Sequence, residues 1–396
     1  MNMTSIVYVQ YTDPASYPPL QNSSIIFAER GWLVSHLGIM ASGAAREIEM
    51  TTHPRISVAL QPAPGGGWRT AQHYAFFLAW CRSEILRLRP SVVYCSDFRS
   101  YPIGLWAARL PGVATILHEH DPPAASNGGW AAQMLRTVRI KFARSATTII
   151  VPQDERARRF VADTGCSPDR IHVVYNCPLL RELETPQSGA RDARRELTLW
   201  YHGALGRGQL PESVIDVLSH LPDDVRFEAA GYETVSSKGY VQRLLERARE
   251  LCVGERVLFH GTVPDRLNLL HLAANADLGL ALFSNRFRDP MVGASNKPFD
   301  YLACGLPLLT NRTPEWEGFF GAEGVSIGCD PENPDDIARA VLALRNDLAR
   351  RRAMVENGRR LIETKWNYEA QFAKVIAAIE GGHRRMAPGD VAGVRF

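Results

Sequence analysis

The sequence predicts an α/β protein built from two doubly wound parallel-sheet domains. Three observations carry that prediction. Short apolar runs rich in β-branched residues alternate with helical patterns along the chain, as βαβ units do. With 396 residues, 45% of them hydrophobic, the chain can fill two cores. The polar stretch 181–196, RELETPQSGARDARRE, breaks the alternation near the middle and is read as the interdomain linker. Domains are therefore expected at 1–185 and 196–366.

The first strand is expected at 6–9 (IVYV). The Pro- and Ser-rich loop 11–24 follows, a candidate lip of a ligand cleft because ligands bind at the carboxyl ends of strands in open α/β sheets. A helix over 23–30 should end at Gly31. A strand is expected at 34–37, followed by weakly patterned sequence and the flexible loop PAPGGGWR at 62–69. A helix over 70–89 leads to a strand at 91–95. Asp97 lies just past that strand, placed either to touch a ligand or to cap the next helix.

The strand 115–117 runs into His118-Glu119-His120-Asp121-Pro122-Pro123. Four ionisable residues at a strand end are costly to bury unpaired, which marks them as site candidates. His118 and His120 would share one face of a strand, so a metal site and simple hydrogen bonding to loop carbonyls both stay open. The stretch 130–144 reads as a basic amphipathic helix. Trp130, Met134, Leu135, Val138 and Phe142 are its apolar residues and Arg136, Arg139, Lys141 and Arg144 its basic ones. It would either dock on anionic lipid or pack on the sheet with a solvated basic face. A strand at 148–151, a helix opening at 152–156 and a strand at 171–175 complete the first domain.

The second domain opens with the strand 198–203 and the loop Ala204-Leu205-Gly206-Arg207-Gly208, then a helix near 211–220. Gly203, Gly206 and Gly208 allow close backbone approach to a ligand. Arg207 brings a planar fork of donors suited to phosphate oxygens. Strands at 227–231, ending at Gly231, and at 257–261 follow, with helices at 240–251 and 266–274 and a strand at 278–282. A short helix over 297–303, stopped by Gly305, is expected after the small-residue loop that ends at Asn296. Its first turn presents free N–H groups beside the charge of Lys297. Asp300, one turn on, can accept hydrogen bonds from sugar hydroxyls. The three together describe a pocket for a nucleotide diphosphate sugar; a capped surface helix with a local Lys–Asp pair is the plainer alternative. A buried strand at 306–310 and helices at 334–346, 350–365 and 367–380 follow. The tail 381–396 lacks periodicity and is expected to be unstructured.

SNKPFDYLACGLPLL (295–309) resembles the donor-site motif of retaining GT-B glycosyltransferases of the GT4 type, in particular a subgroup with N-K-x-F-[DE]-Y. The similarity extends from about Ile6 to Glu380. It implies two Rossmann-like domains facing across a cleft, with the helix 367–380 crossing back onto the first. Asp300 matches the second acidic residue of the family motif, which contacts the donor ribose. The first falls at Val292, a departure from the wider family. YHGALGRG (201–208) resembles the loop whose arginine, with a cation at Lys297, holds the donor diphosphate. Gly231 and Val263 lie in segments that line the donor site, Val263 in the one against the nucleobase. The strand end at 118–121 resembles the family's D-x-H-E element, with His120 near the reacting centre and Asp121 as its acidic neighbour. Asp97 and His118 stay candidate acceptor-side residues.

The resemblance implies a metal-independent hexosyltransferase that needs no cofactor and takes a nucleotide sugar and a saccharide, lipid-linked or small-molecule acceptor. Retention of configuration comes from the resemblance alone. The D-x-D triplet of metal-dependent enzymes is absent from predicted strand ends. A nucleotide-sugar epimerase and a binding scaffold that has lost catalysis stand as alternatives, the latter motivated by Val292. Net charge is +3, unevenly spread: residues 1–195 hold 21 Lys+Arg against 15 Asp+Glu, the remainder 24 against 27. The first half is the better match for an anionic acceptor or membrane surface. Nucleic acid is not expected, as no basic-aromatic module is visible. Seven cysteines without a CxxC pair and no basic apolar leader point to a reducing, cytoplasmic setting. Membrane contact is expected to be peripheral at most.

Overall fold

A computed structural model describes residues 4–64, 69–121, 129–184, 196–286 and 291–386. The chain divides into two compact units. The first comprises 4–42, 50–175 and 371–386, the second 43–49 and 176–370.

The first unit is a seven-stranded, all-parallel sheet. Its strands are β1 (Ser5–Val9), β2 (Leu33–Ile39), β3 (Ile56–Gln61), β4 (Val92–Cys95), β5 (Ala114–His118), β6 (Thr148–Val151) and β7 (Ile171–Val173), ordered β3-β2-β1-β4-β5-β6-β7. Val7 pairs with Ser35 on one side and Val93 on the other. Helices α1 (Pro18–Glu29), α2 (Arg69–Leu88), α3 (Tyr101–Ala107), α4 (Trp130–Ser145) and α5 (Asp154–Thr164) connect the strands. Phe77 and Ile85 of α2 and Phe142 of α4 join Val7, Val93 and Leu117 in one core. Strands β4, β5 and β6 are buried along their whole length, which is why they read as unbroken apolar runs.

Two expectations change here. Helix α1 opens at Pro18 rather than at 23, because Pro18-Pro19 sits in the first turn, where the missing N–H costs nothing and φ is already set. Strand β3 went unpredicted. It is the sheet edge and largely exposed, although Ile56, Val58 and Leu60 do alternate with Ser57, Ala59 and Gln61 as in a strand.

The second unit repeats the design with six parallel strands. They are β8 (Leu197–Leu205), β9 (Val225–Glu233), β10 (Val257–Gly261), β11 (Leu278–Ala281), β12 (Leu308–Asn311) and β13 (Ser326–Cys329), ordered β10-β9-β8-β11-β12-β13. Its helices are α6 (Ser213–Asp216), α7 (Tyr240–Glu250), α8 (Arg266–Ala273), α9 (Lys297–Ala303), α10 (Pro314–Trp316), α11 (Pro334–Asn346) and α12 (Leu348–Thr364). The expected helix near 211–220 is split, with α6 tightening into a 3-10 turn over Val217–His220. Helix α9 ends before Gly305, which takes a left-handed φ of +76° as a helix stop should. The polar stretch 181–196 begins with a 3-10 turn, Leu180–Glu184; its residues 185–195 lie outside the described set.

The last helix, α13 (Tyr368–Met386), is longer than expected and takes in the first six residues of the supposed tail. The remaining tail, 387–396, lies outside the described residues. Within the first unit, Phe372 meets Phe27 of α1 edge-on at 5.7 Å, and Arg30 forks onto Glu380 at 3.0–3.2 Å. Six of the seven cysteines are buried; Cys252 is exposed, at φ +57° just after α7.

Both sheets share one strand order, so each reverses direction of winding once, between β1 and β4 and between β8 and β11. Open α/β sheets bind ligands at that reversal, outside the carboxyl ends of the strands.

Candidate functional site

In the second unit the residues at this reversal are a glycine pair and a lysine. Gly203 and Gly231 stand opposite each other in the β8–β9 register. Their φ values are +120° and +149°, a region L side chains rarely adopt. A Cβ on Gly231 would lie 1.8 Å from the Gly203 carbonyl oxygen, and one on Gly203 would lie 3.1 Å from Lys297 Cε. Lys297, the first residue of α9, thus lies directly over the glycine backbone. Its ammonium sits 5.1 Å from the Tyr201 ring centroid and 5.2 Å from that of Phe283. Such a cation–ring contact is worth about 0.5–2 kcal/mol. Burial pushes the Lys297 pKa down to about 8, and the negative charge of Asp300 acts against that shift. Among the described residues no carboxylate forms an ion pair with it.

The loops around the lysine are pinned. Asn311, at the end of β12, grips the Phe283 backbone in both directions, at 2.9 and 2.7 Å. Ser284 N–H donates to the Gly208 carbonyl at 3.0 Å, joining the Phe283 loop to the glycine loop. Arg207 rises from that loop with its side chain 70% exposed, 3.8 Å from Glu212. Arg207 thus projects from the glycine loop and Lys297 from the head of α9, both in the second unit. Asn296 precedes α9, and its side-chain Nδ2 is buried without a partner among the described residues. Val263 lies in the loop after β10, half-buried; the backbone of the neighbouring Pro264 accepts from Glu49 N–H at 3.2 Å.

Asp300 is 1% exposed, and its oxygens are engaged by protein groups. Arg266 donates to both, at 2.8 and 3.3 Å, and also forks onto Glu182 at 2.7 and 3.0 Å. His202 Nε2 lies 3.2 Å from Asp300 Oδ2. Trp200 Nε1, a donor only, points at His202 Nδ1 at 3.0 Å. His202 is therefore the Nε2–H tautomer and donates to Asp300. Although burial opposes charge there, the Arg266 guanidinium and His202 hold the Asp300 carboxyl below its ordinary range.

The first unit carries a different set. Burial alone pushes the His36 pKa down to about 3. Rings stack across the strands from His36 to Tyr8 to Tyr94, with centroids 4.5 and 4.4 Å apart. Tyr94 O–H meets His118 Nδ1 at 2.6 Å, and the His118 and His120 rings lie 3.7 Å apart. Burial and then the positive charge of Arg156 push His120 down to about 3, so it is a neutral imidazole at pH 7. Its Nε2 is buried without a partner among the described residues. Tyr17 flanks it at 5.4 Å. Among the described residues no group of three potential metal ligands gathers there or elsewhere. Asp121 is exposed, 3.6 Å from Arg156, which also donates to the His120 carbonyl. Asp97 accepts from the backbone N–H of Tyr11 and, at 2.7 Å, of Ser100, holding the two loops of the sheet reversal together at the head of α3. Burial raises its pKa to about 6.

One sequence expectation is corrected outright. Arg139 does not belong to a solvated basic face. It is buried, bonded twice to Glu119 at 2.5 and 2.7 Å, because the carboxylate at the end of β5 needs a counter-charge inside. Sequence reading missed Tyr201, Phe283, Asn311 and Arg266. Each acts on a residue 14 to 96 positions away, and nothing local marks it.

Residues 26–177 match a Glycosyl transferase 4-like domain and 213–377 a Glycosyl transferase-like domain. Comparison with curated proteins finds no match. The solved sucrose-phosphate synthase of Thermosynechococcus elongatus superposes with a TM-score of 0.74 at 14% identity, covering 96% of this chain and 100% of that one. HepE of Anabaena in complex with UDP gives 0.71 at 16% identity, with 96% and 100% covered. WaaG, a glycosyltransferase involved in lipopolysaccharide biosynthesis, gives 0.63 at 15%, with 97% and 100% covered. Two parallel-sheet Rossmann-like units of this kind define the GT-B fold. With glycosyl transferase domains matched in both halves, the chain belongs to the glycosyltransferases.

Proposed function

We propose that this glycosyltransferase moves a sugar, with retention and without a metal ion, from a nucleotide-diphosphate sugar to an acceptor hydroxyl, in the making of a polysaccharide, glycolipid or other glycoconjugate. Lys297 carries the reading. A buried ammonium with no carboxylate ion pair, set over a glycine pair at the sheet reversal, is a seat for an anion. UDP is favoured as the nucleotide because HepE has been solved with UDP and with UDP-glucose.

In this reading the second unit holds the donor and the first the acceptor. Gly203 and Gly231 admit the diphosphate, and Lys297 and Arg207 neutralise the charge that builds on it as the sugar's C1–O bond breaks. Losing one such group costs about 3–4 kcal/mol of transition-state stabilisation. The acceptor oxygen forms the new bond to C1 on the same face, and its proton passes to the departing phosphate. His120, neutral with Nε2 free, hydrogen-bonds the sugar or the attacking hydroxyl rather than supplying charge. Asp300 reaches the donor ribose only by giving up part of its bond set with Arg266 and His202.

In this reading the protein works in the cytoplasm, with α4 touching the inner membrane face. Trp130 is 81% and Met134 49% exposed, and Lys141 and Arg144 are exposed on the same helix. Among the described residues no helix is long and apolar enough to cross a membrane. Val292, 3% exposed where the wider family has an acid, favours a second reading as a nucleotide-binding scaffold. A thermal-shift screen of UDP-, GDP-, ADP- and dTDP-sugars, followed by turnover with and without EDTA, tests both. Donor-dependent glycosylation that survives EDTA is expected. Tight binding with no turnover on any acceptor turns the assignment to the scaffold, and activity restored only by a divalent ion removes metal independence.

A further inference from the structure

Beyond Arg207 the second unit holds a polar cavity of about 450 Å³, in the range of ligand sites. Its two walls are the glycine loop after β8 and the segment between β9 and α7. They meet where a Cβ on Gly206 would lie 3.1 Å from Ser237 Cβ. Arg207, Lys238 and Arg243 line it, with the hydroxyls of Thr234, Ser236 and Ser237 and no carboxylate among the lining residues. Lys297 does not line it.

The charges around the cavity are unequally satisfied. Glu212 takes two hydrogen bonds from Arg243, at 2.7 and 2.9 Å, while Arg207 stays 3.8 Å away. Among the described residues Lys238 has no ion pair. Glu233 already caps α7, accepting from Gly239 and Val241 N–H at 2.9 and 2.6 Å, so two of the donors at the helix end are taken. The lining side chains supply the cationic and hydroxyl groups. Thr234 and Ser236 hydroxyls lie 3.0 Å apart, and the Tyr240 hydroxyl turns away to the Leu210 carbonyl at 2.6 Å. An apolar ligand would find little to cover. A single phosphate would leave most of the space unfilled, beside a ring of hydroxyls, Thr234, Ser236 and Ser237, that bond one another at 2.9–3.0 Å.

We propose that this cavity binds a phosphorylated sugar, its phosphate on Lys238 and its hydroxyls toward Thr234, Ser236 and Ser237. That this ligand is separate from the donor rests on the reading of Lys297 as the diphosphate seat.

The test is calorimetry on the full-length protein with glucose 6-phosphate, inorganic phosphate and glucose, each with and without saturating UDP. Glucose 6-phosphate should bind with UDP present, inorganic phosphate more weakly and glucose not at all. Lys238→Ala should weaken glucose 6-phosphate by about tenfold or more without lowering the melting temperature, and Lys238→Arg should restore most of it. Lys297→Ala should abolish UDP binding and keep that of the sugar phosphate. Mutual exclusion of UDP and glucose 6-phosphate overturns the proposal, because one anion site then serves both. So does absence of binding at tens of millimolar, or binding indifferent to Lys238→Ala. If UDP itself fails to bind, the donor reading falls, while the Lys238 variants still decide this one.

Discussion

The two sheet reversals share a strand order and differ in electrostatics. Between β8 and β11 the chain places glycines at positive φ and a buried, uncompensated ammonium. Between β1 and β4 the loops are tied by a carboxylate, and alongside runs a column of neutral rings, His36, Tyr8, Tyr94, His118 and His120. Topology fixes where a ligand goes; the side chains decide its charge. On the proposed reading an anion belongs to the second unit, a neutral hydroxyl-bearing partner to the first.

The sharpest way to break that contrast is to remove the cation. Lys297→Ala should lower transfer by about 10²–10³-fold with an unchanged melting temperature, as loss of a preorganised charge does. His120→Ala should cost less, because a neutral ring supplies only a hydrogen bond. Equal losses in single-turnover rates would erase the distinction.

The second prediction is a pH effect on binding. A nucleotide anion prefers the protonated lysine, whose pKa is lowered to about 8. UDP affinity should hold below pH 8 and weaken up to tenfold per unit above it. Lys297→Arg should flatten the profile, and a wild-type profile already flat to pH 10 would detach Lys297 from the anion.

The third concerns stability. Burial depresses His36 and His120 to about 3 from an ordinary 6.5, and His118 lies well below its ordinary value too. As pH falls below 6.5 the unfolded chain takes up protons that the folded unit refuses. Stability present at pH 7 is therefore lost on the way to pH 3, by at most about 1.4 kcal/mol per pH unit per histidine. In the second unit His202 is depressed as well, but its bond to Asp300 opposes the shift. Acid should therefore melt the first unit ahead of the second, and His36→Gln should make its melting temperature less sensitive to acid. Parallel acid sensitivity of both units would contradict the assignment.

The smallest effect tests the aromatic seat. Phe283→Leu removes one ring face under Lys297 and should weaken UDP by about 2- to 30-fold, matching 0.5–2 kcal/mol. Unchanged affinity, with the fold intact, would show that the ring does not hold the ammonium.

Much of this was legible before any coordinates. The stop at Gly305, the start of α9 at Lys297 and the glycines of the β8 loop follow from local rules of capping and φ. Strand β3 was legible as well, since Ile56, Val58 and Leu60 alternate with Ser57, Ala59 and Gln61, yet it was passed over in the weakly patterned stretch before the glycine loop. The bond set of Asp300 escaped for another reason. Arg266 and Glu182 are distant in sequence, and either would pass for a surface residue, yet together they bury the carboxylate. In the first unit the sequence marked His118 and His120 but not Tyr94, which meets His118 from a neighbouring strand.

The lone exposed thiol has a practical consequence. Cys252 follows α7 at the end remote from Arg243, and eleven helical residues span roughly 16 Å. With the other six sulfurs shielded, a maleimide dye should attach at that position alone in the native protein. It would report ligand capture by the second unit through a change in fluorescence, without engineering the chain.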